Sequence, residues 1–449
     1  MKHSKPPSPK GNLFVGHAFS FRKNPLHFMV DSVKLLGDFI SFRLLGKKVY
    51  LVSDAEIARY IMQSNNKNYT KSPGYRHLRL LVGNGLFTSE GSFWLKQRRI
   101  YQPAFSNKSV ELYVRNVTDS VQQTMLKWEK LANNNEAINA SEDMTEITLE
   151  IIGRSLFSTN LGKESKYFFE PLSIALEYIN NRALRAPFIL PTWFPNPAKR
   201  NFDQAVKTLD QVVYAVIKER EEQQEWPEDL LTSFLTIKEE ETGEGLTPLQ
   251  VRDECMTLFL AGHESTANVL NWVFYLLTKH PEIQEKVQEE IDNALGSRDP
   301  LYEDLNQLTY LVQVINETMR LYPPVWHYGR MNIQEDKIAG YTFEPQSHFR
   351  ICCYTIHRNP KYWKNPDEFD PERFSPENVK KQAPGSFIPF GYGPRLCVGR
   401  NFALMEITFM VAMFYQKYHI NVCHVKDINM LPLLVLRPDR DVKLALKRR

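Results

Sequence analysis

One cysteine in this chain stands inside a frame of three glycines, in the run Phe390-Gly391-Tyr392-Gly393-Pro394-Arg395-Leu396-Cys397-Val398-Gly399-Arg400. The backbone there must turn tightly and bring its amides close to the sulfur. Those amides, with Arg395 nearby, predict a thiol held toward its charged form, against a free pKa of ~8.5, and therefore a good metal ligand. An isolated Gly-x-Cys-x-Gly is more often a buried cysteine beside an ordinary turn. What the rest of the chain carries has to decide between the two.

A chain of 449 residues, 43% of them hydrophobic, is globular and can form two or three ordinary domains or one large helical fold built round a cofactor. The net charge of +4 is mild and its basic residues are dispersed, which argues against nucleic acid as a partner. Five cysteines make no paired framework, and the adjacent Cys352 and Cys353 cannot easily close a relaxed disulfide, so a reducing cytoplasm is expected. No run reaches the roughly 18 uncharged apolar residues of a membrane span, since His263, Glu264 and Glu406 interrupt the best candidates. The N-terminus has charge but no apolar core, unlike a signal peptide. Internal repeats, a Gly-x-Gly-x-x-Gly strand–helix turn and a P-loop are all missing, so no flavin or nicotinamide module is recognisable.

Residues 39–44 and 48–53 read as a hairpin turning at Gly46 and Lys47, with Asp54 capping the next helix. Residues 70–92, rich in glycine, read as a long loop of the kind that is usually functional. After it, Trp94 and Arg98 fall four apart on one helical face, which taken alone is a surface cation–π pair. Residues 110–240 read as helical, interrupted near Asn133, Glu221 and the proline-rich stretch 191–197. Thr247-Pro248-Leu249-Gln250 is a capping box with proline at the first helical position, and the apolar pattern runs on to His280, about 48 Å at ~1.5 Å per residue. Leu258, Ala261, Ser265, Val269 and Trp272 share one face of this helix. Its middle, Ala261-Gly262-His263-Glu264-Ser265-Thr266, puts a glycine, a carboxylate and two hydroxyls where they weaken a helix. His263 points to another face and reads as packing. Glu317 and Arg320 stand at i,i+3 spacing, which allows an ion pair, and Arg373 follows in Asp370-Pro371-Glu372-Arg373.

Phe390, Gly391, Gly393, Arg395, Cys397 and Gly399 reproduce Phe-Gly-x-Gly-x-Arg-x-Cys-x-Gly, and this resembles the haem-ligand loop of the cytochrome P-450 monooxygenases. Trp-x-x-x-Arg at Trp94, the Ala-Gly-x-Glu-Ser run at Ala261 and Glu-x-x-Arg at Glu317 are similar to that family's other motifs, in the same order over nearly the whole chain. The resemblance implies a single mainly α-helical domain over 1–449 with a small β region, the cytochrome P-450 fold, round a buried b-type haem (iron protoporphyrin IX). Residues 1–12 resemble the proline-rich hinge that follows the anchor in membrane-bound members.

By the same resemblance Cys397 is the iron ligand, Phe390 packs beside its sulfur, and Trp94, Arg98 and Arg330 hold haem propionates. Arg395 and Gly399 belong to the cofactor loop, and Ala261 faces the haem. Glu264, Ser265 and Thr266 deliver protons to O2, with Ser265 where the family usually has threonine; Thr266 lies about 100° further round the helix. Glu317, Arg320 and Arg373 brace the cysteine loop. The implied pocket, lined from 70–92, 165–205, Leu258, Ala261, Val325, Trp326, Leu433 and Leu434, suits a fatty acid, terpenoid or steroid. Electrons would come from an external ferredoxin or flavodoxin with its reductase, docking on a basic patch of Lys96, Arg99, Lys380, Lys381 and Arg400. A monomer is expected, soluble in the cytoplasm, or membrane-associated if an N-terminal anchor was removed. The rival functions are a peroxide-dependent peroxygenase, whose members commonly carry Arg-Pro in place of Glu264-Ser265, and a non-catalytic haem-based gas sensor or carrier.

Overall fold

The computed structural model describes residues 5–134, 136–160, 165–185, 196–238, 243–423 and 427–449. The proline-rich stretch 191–197 and the 165–205 part of the expected pocket therefore fall partly outside the described residues.

The architecture is organised by the long helix Pro248–Lys279, which opens with the expected capping box between Thr247 and Gln250 and ends one residue before His280. Helices Ala140–Phe157, Thr309–Leu321, Arg400–Lys417 and Tyr75–Val82 pack against it. Gly262 sets how close the first of these comes: a Cβ there would lie 2.4 Å from Ile152 Cδ1. Aromatic pairs fill the core, among them Trp272 stacked on Tyr322 with centroids 4.0 Å apart and Trp128 on Phe414 at 4.3 Å. Each such pair contributes about 0.5–1.5 kcal/mol beyond its buried area.

The β region is a five-stranded sheet in the order Phe39–Leu44, Lys47–Val52, His348–Ile351, Tyr328–Asn332, Tyr69–Lys71, with only the second and third strands parallel. The first two form the expected hairpin, but the turn lies one residue earlier than predicted. Leu45 and Gly46 both take positive φ, 55° and 81°, as a two-residue turn matched to strand twist requires, and Lys47 already pairs with Leu44. Asp54 caps the following helix, accepting the Glu56 and Ile57 amides.

The predicted loop 70–92 is corrected. It begins in the strand Tyr69–Lys71 and contains the helix Tyr75–Val82, whose ends are Gly74 and Gly83, the latter at φ 58°. The glycines that suggested a loop are the boundaries of a short helix. Among the described residues no helix is long and apolar enough to cross a membrane.

Candidate active site

The cysteine loop is built on two left-handed glycines, Gly391 at φ 79° and Gly393 at φ 67°. A Cβ on Gly393 would also lie 2.2 Å from the Met62 carbonyl oxygen, so only glycine fits. Between them the chain doubles back until the Cys397 N–H donates to the Phe390 carbonyl at 2.9 Å, and helix Arg400–Lys417 starts three residues on. Burial pushes the Cys397 thiol up, with the Gly399 amide, Arg98 and Arg400 opposing. Against the expectation of a thiol held toward its charged form, burial is the larger influence on it. Its depth outweighs the loop amides, and the cations acting on it are Arg98 and Arg400 rather than Arg395. Cys397 nevertheless keeps accessible surface.

Arg395 instead turns to Trp94, its guanidinium 3.9 Å from the indole centroid, pairs with Glu90 and donates to the Ser89 carbonyl at 2.9 Å. Trp94 and Arg98 lie on helix Gly91–Ala104, and Arg98 donates to the Leu396 carbonyl at 2.8 Å, beside Cys397. Arg330, on strand Tyr328–Asn332, is 7% exposed, and among the described residues its guanidinium donates only to the Gly329 carbonyl. Lys71, which sequence reasoning missed, joins them from strand Tyr69–Lys71 and donates to Ser89 O at 3.1 Å. Burial and then Arg395, Arg330 and Arg79 depress its ammonium to about 6, while Glu90 opposes. Nothing in the local sequence marks Lys71; only strand pairing, Lys71 against Arg330, brings it here.

In the middle of the long helix Ala261 is exposed and Gly262, Glu264 and Ser265 are half-buried, between buried stretches 251–260 and 266–277. The Ser265 hydroxyl donates to the Ala261 carbonyl at 2.7 Å. Glu264 Oε2 is buried and has no hydrogen-bond partner among the described residues, and burial raises the carboxyl to about 7 against the pull of Arg437. Thr266, expected with Ser265 in proton delivery, turns elsewhere. It is 3% exposed and is the polar neighbour of the fully buried Glu406 on helix Arg400–Lys417. No Glu406 oxygen has a partner at hydrogen-bond distance, so the threonine offsets only part of the burial that holds this carboxyl neutral. The 100° step round the helix is the cause. His263 is packing: its Nδ1 meets the Phe259 carbonyl and burial lowers the ring to about 4.

The brace is present. Glu317 and Arg320 are both 0% exposed and pair at 2.7 Å, and Arg373 reaches Glu317 at 3.2 Å. A second unforeseen residue, His357, ties this pair to the loop. Arg320 donates to its carbonyl at 2.7 Å and its Nε2 accepts the Ile388 N–H at 2.9 Å.

The helical fold, the small mixed sheet and the deep, accessible cysteine define a class. Over 100% of this chain and 98% of the other, the structure superposes on the crystal structure of the cytochrome P450DA heme domain with a TM-score of 0.90 at 26% identity. The fold is that of a haem monooxygenase. The sequence profile of the family Cytochrome P450 matches residues 6–445, and the chain belongs to that family. It is 32% identical to cyclooctat-9-en-7-ol 5-monooxygenase of Streptomyces melanosporofaciens, over 90% of this chain and 87% of the relative. It is 28% identical to pentalenene oxygenase of Streptomyces avermitilis, over 97% and 95%.

The residues present fit the family's haem. The sulfur is accessible, the cations Arg98, Arg330 and Arg395 outnumber the carboxylate Glu90, and the helix offers its small residue Ala261 on the exposed face. A cation cluster of this kind is complementary to the two carboxylates of a porphyrin.

Proposed function

We propose that this protein uses b-type haem and externally supplied electrons to hydroxylate a lipophilic small molecule of terpenoid type. When bound, haem supplies dioxygen activation and the oxidation of a C–H bond. Cys397 Sγ would hold the iron, a bound metal ion being sufficient to deprotonate even a thiol raised by burial. Trp94, Arg98, Arg330, Arg395 and Lys71 would hold the carboxylates. The observation that carries the reading is Glu264, a buried carboxyl with a free oxygen and a pKa of about 7, one residue before the Ser265 hydroxyl on the accessible face. A group that titrates near neutrality suits proton delivery. Glu264 takes the proton from the interior, and Ser265 Oγ passes one on toward the cofactor once its hydroxyl turns from the Ala261 carbonyl. The same pair argues against peroxide as the oxidant, which needs no such relay.

Relatives named for cyclooctat-9-en-7-ol and pentalenene support the terpenoid option. For electrons, a cleft of about 350 Å³ lies outside the cysteine loop, lined by residues 387–393, Leu396 and Arg400. Lys96, Arg99, Lys380, Lys381 and Arg400 are exposed, a charge distribution suited to an acidic ferredoxin or flavodoxin.

The test is spectroscopic and then chemical. Reduced protein under carbon monoxide should show the red-shifted Soret band of thiolate-ligated haem, and Cys397→Ala should abolish it. With ferredoxin, its reductase and a terpenoid panel under labelled O2, products should carry one labelled oxygen. A band that survives Cys397→Ala, or products without label, overturns the reading.

A further inference from the structure

A charge taken out of water is ordinarily paired, because leaving it alone is costly. Arg350 is not paired. It lies in strand His348–Ile351, is half-buried, and among the described residues its guanidinium has neither a hydrogen bond nor an ion pair. Its neighbours are aromatic: the guanidinium carbon is 4.8 Å from the Phe21 ring centroid and 5.9 Å from that of Trp326. Burial lowers its pKa to about 10, so it is a cation at neutral pH. Part of its surface stays accessible beside these rings.

His327 stands beside it. Its ring meets Trp326 edge-on at 4.2 Å, and its Nδ1 is buried without a partner among the described residues. Burial, then the charge on Arg350, holds the imidazole well below its ordinary range and therefore neutral, with one N–H to donate.

Position gives this pair a meaning. Across the sheet Arg350 faces Gly329, and a Cβ on Gly329 would lie 2.2 Å from Ser72 Oγ and 3.7 Å from the Tyr75 ring. The sheet face that carries Arg350 is therefore the one covered by the 70–92 segment. Trp326 donates its indole N–H to the Leu433 carbonyl at 2.8 Å, which adds the 433–434 turn to the same wall. The next residue along the other strand, Tyr328, points to the opposite face and donates to the Ile388 and Pro389 carbonyls behind the cysteine loop. Arg350 thus lies where three segments expected round the substrate converge, one strand away from the residues that back the cofactor.

We propose that Arg350, assisted by His327, is an oxyanion subsite of the substrate pocket, and that the natural substrate is a lipophile carrying a carboxylate at the end remote from the oxidised carbon. This rests on the hydroxylase reading above and narrows it. A guanidinium offers a planar fork for both carboxylate oxygens, and aromatic walls that exclude water strengthen the contact. With no internal counter-ion to displace, the ligand keeps the whole gain. A neutral hydrocarbon would leave the charge unpaired.

Equilibrium dialysis on the haem-loaded protein tests this without turnover, using palmitic acid and abietic acid, each against its methyl ester. The acids should bind roughly tenfold or more tighter than the esters. Arg350→Gln should bring the acids to the level of the esters while leaving ester binding unchanged. Arg350→Lys, which keeps the charge without the fork, should keep part of the preference. His327→Asn should reduce it less. An acid preference under about twofold in the wild type on both scaffolds overturns the proposal whatever the variants do. So does a preference that survives Arg350→Gln. Failure of the hydroxylase reading is seen separately, as loss of the thiolate band or absence of labelled product.

Discussion

The imidazole Nε2 of His357 accepts the Ile388 N–H at 2.9 Å while its Nδ1 lies 3.2 Å from the Arg320 carbonyl, so one ring fastens the entry of the cysteine loop to the buried ion pair. The ring is 0% exposed, and burial and the Arg320 charge hold it at about 3. It must be neutral, with the proton on Nδ1, to make both contacts.

His357→Ala leaves the Ile388 N–H and the Arg320 carbonyl without partners, at about 1–3 kcal/mol for each buried group. Thermal unfolding should fall accordingly, and the thiolate-type band should decay faster on warming. Because the folded pKa lies below the ordinary 6.5, the stability from the neutral ring is complete above pH 6.5 and is lost as pH falls toward 3. His263, held at about 4, adds to the same acid limb. His357→Gln should flatten that limb in acid-unfolding curves without removing it.

Arg320→Leu leaves Glu317 charged at 0% exposure with only Arg373 as a counter-ion. A loss of roughly 3–5 kcal/mol is expected, read by denaturant unfolding. Arg373→Leu should cost less, since Arg320 still holds Glu317 with two hydrogen bonds at 2.7 and 2.8 Å.

The Ser265 hydroxyl rests on the Ala261 carbonyl, a geometry that turns it away from a partner in the cofactor space. Threonine is stiffer at χ1 and should present its hydroxyl more often. Ser265→Thr should raise product formed per electron pair, and Ser265→Ala should send electrons to hydrogen peroxide instead. Thr266→Ala should leave coupling nearly unchanged, since Thr266 faces Glu406. A severe loss of coupling in Thr266→Ala would reverse the assignment.

Glu264 has a folded pKa of about 7, above its ordinary 4.5. Any stability from its neutral form is complete below 4.5 and is lost as pH rises through 7. Proton delivery should follow the same limb, with coupling falling from about pH 6 to 8. Glu264→Gln should show lower coupling with no such limb.

Charge reversal at Lys96 and Lys381, both exposed, should slow reduction by an acidic ferredoxin, most of all at low ionic strength. Stopped-flow rates that do not change across salt concentrations would remove this surface as the docking site.

The elements that could be read from the sequence are those whose signals are local. The capping box at Thr247, the hairpin before Asp54, the glycine frame of Cys397 and the i,i+3 spacing of Glu317 and Arg320 each depend on a few neighbouring side chains, and each appears where the pattern put it except for the hairpin's turn, one residue earlier. Helical phase was enough to separate Ser265 from Thr266. The 70–92 segment was misread because a capping glycine and a loop glycine look alike in one dimension.

Tertiary structure decided the rest. Lys71 meets Arg330 across a strand pair 259 positions away in sequence, His357 meets Ile388 31 positions on, and Arg395 leaves the sulfur for Trp94. The charge state of Cys397 turned on depth, and depth has no local sequence pattern: burial belongs to the packed whole, and the same residues exposed to water would titrate near their ordinary values. The sequence by itself determined which chemical groups this protein owns and the turns and caps that present them. Which of those groups share a space, and which lie in it without a partner, was settled only when distant segments packed together.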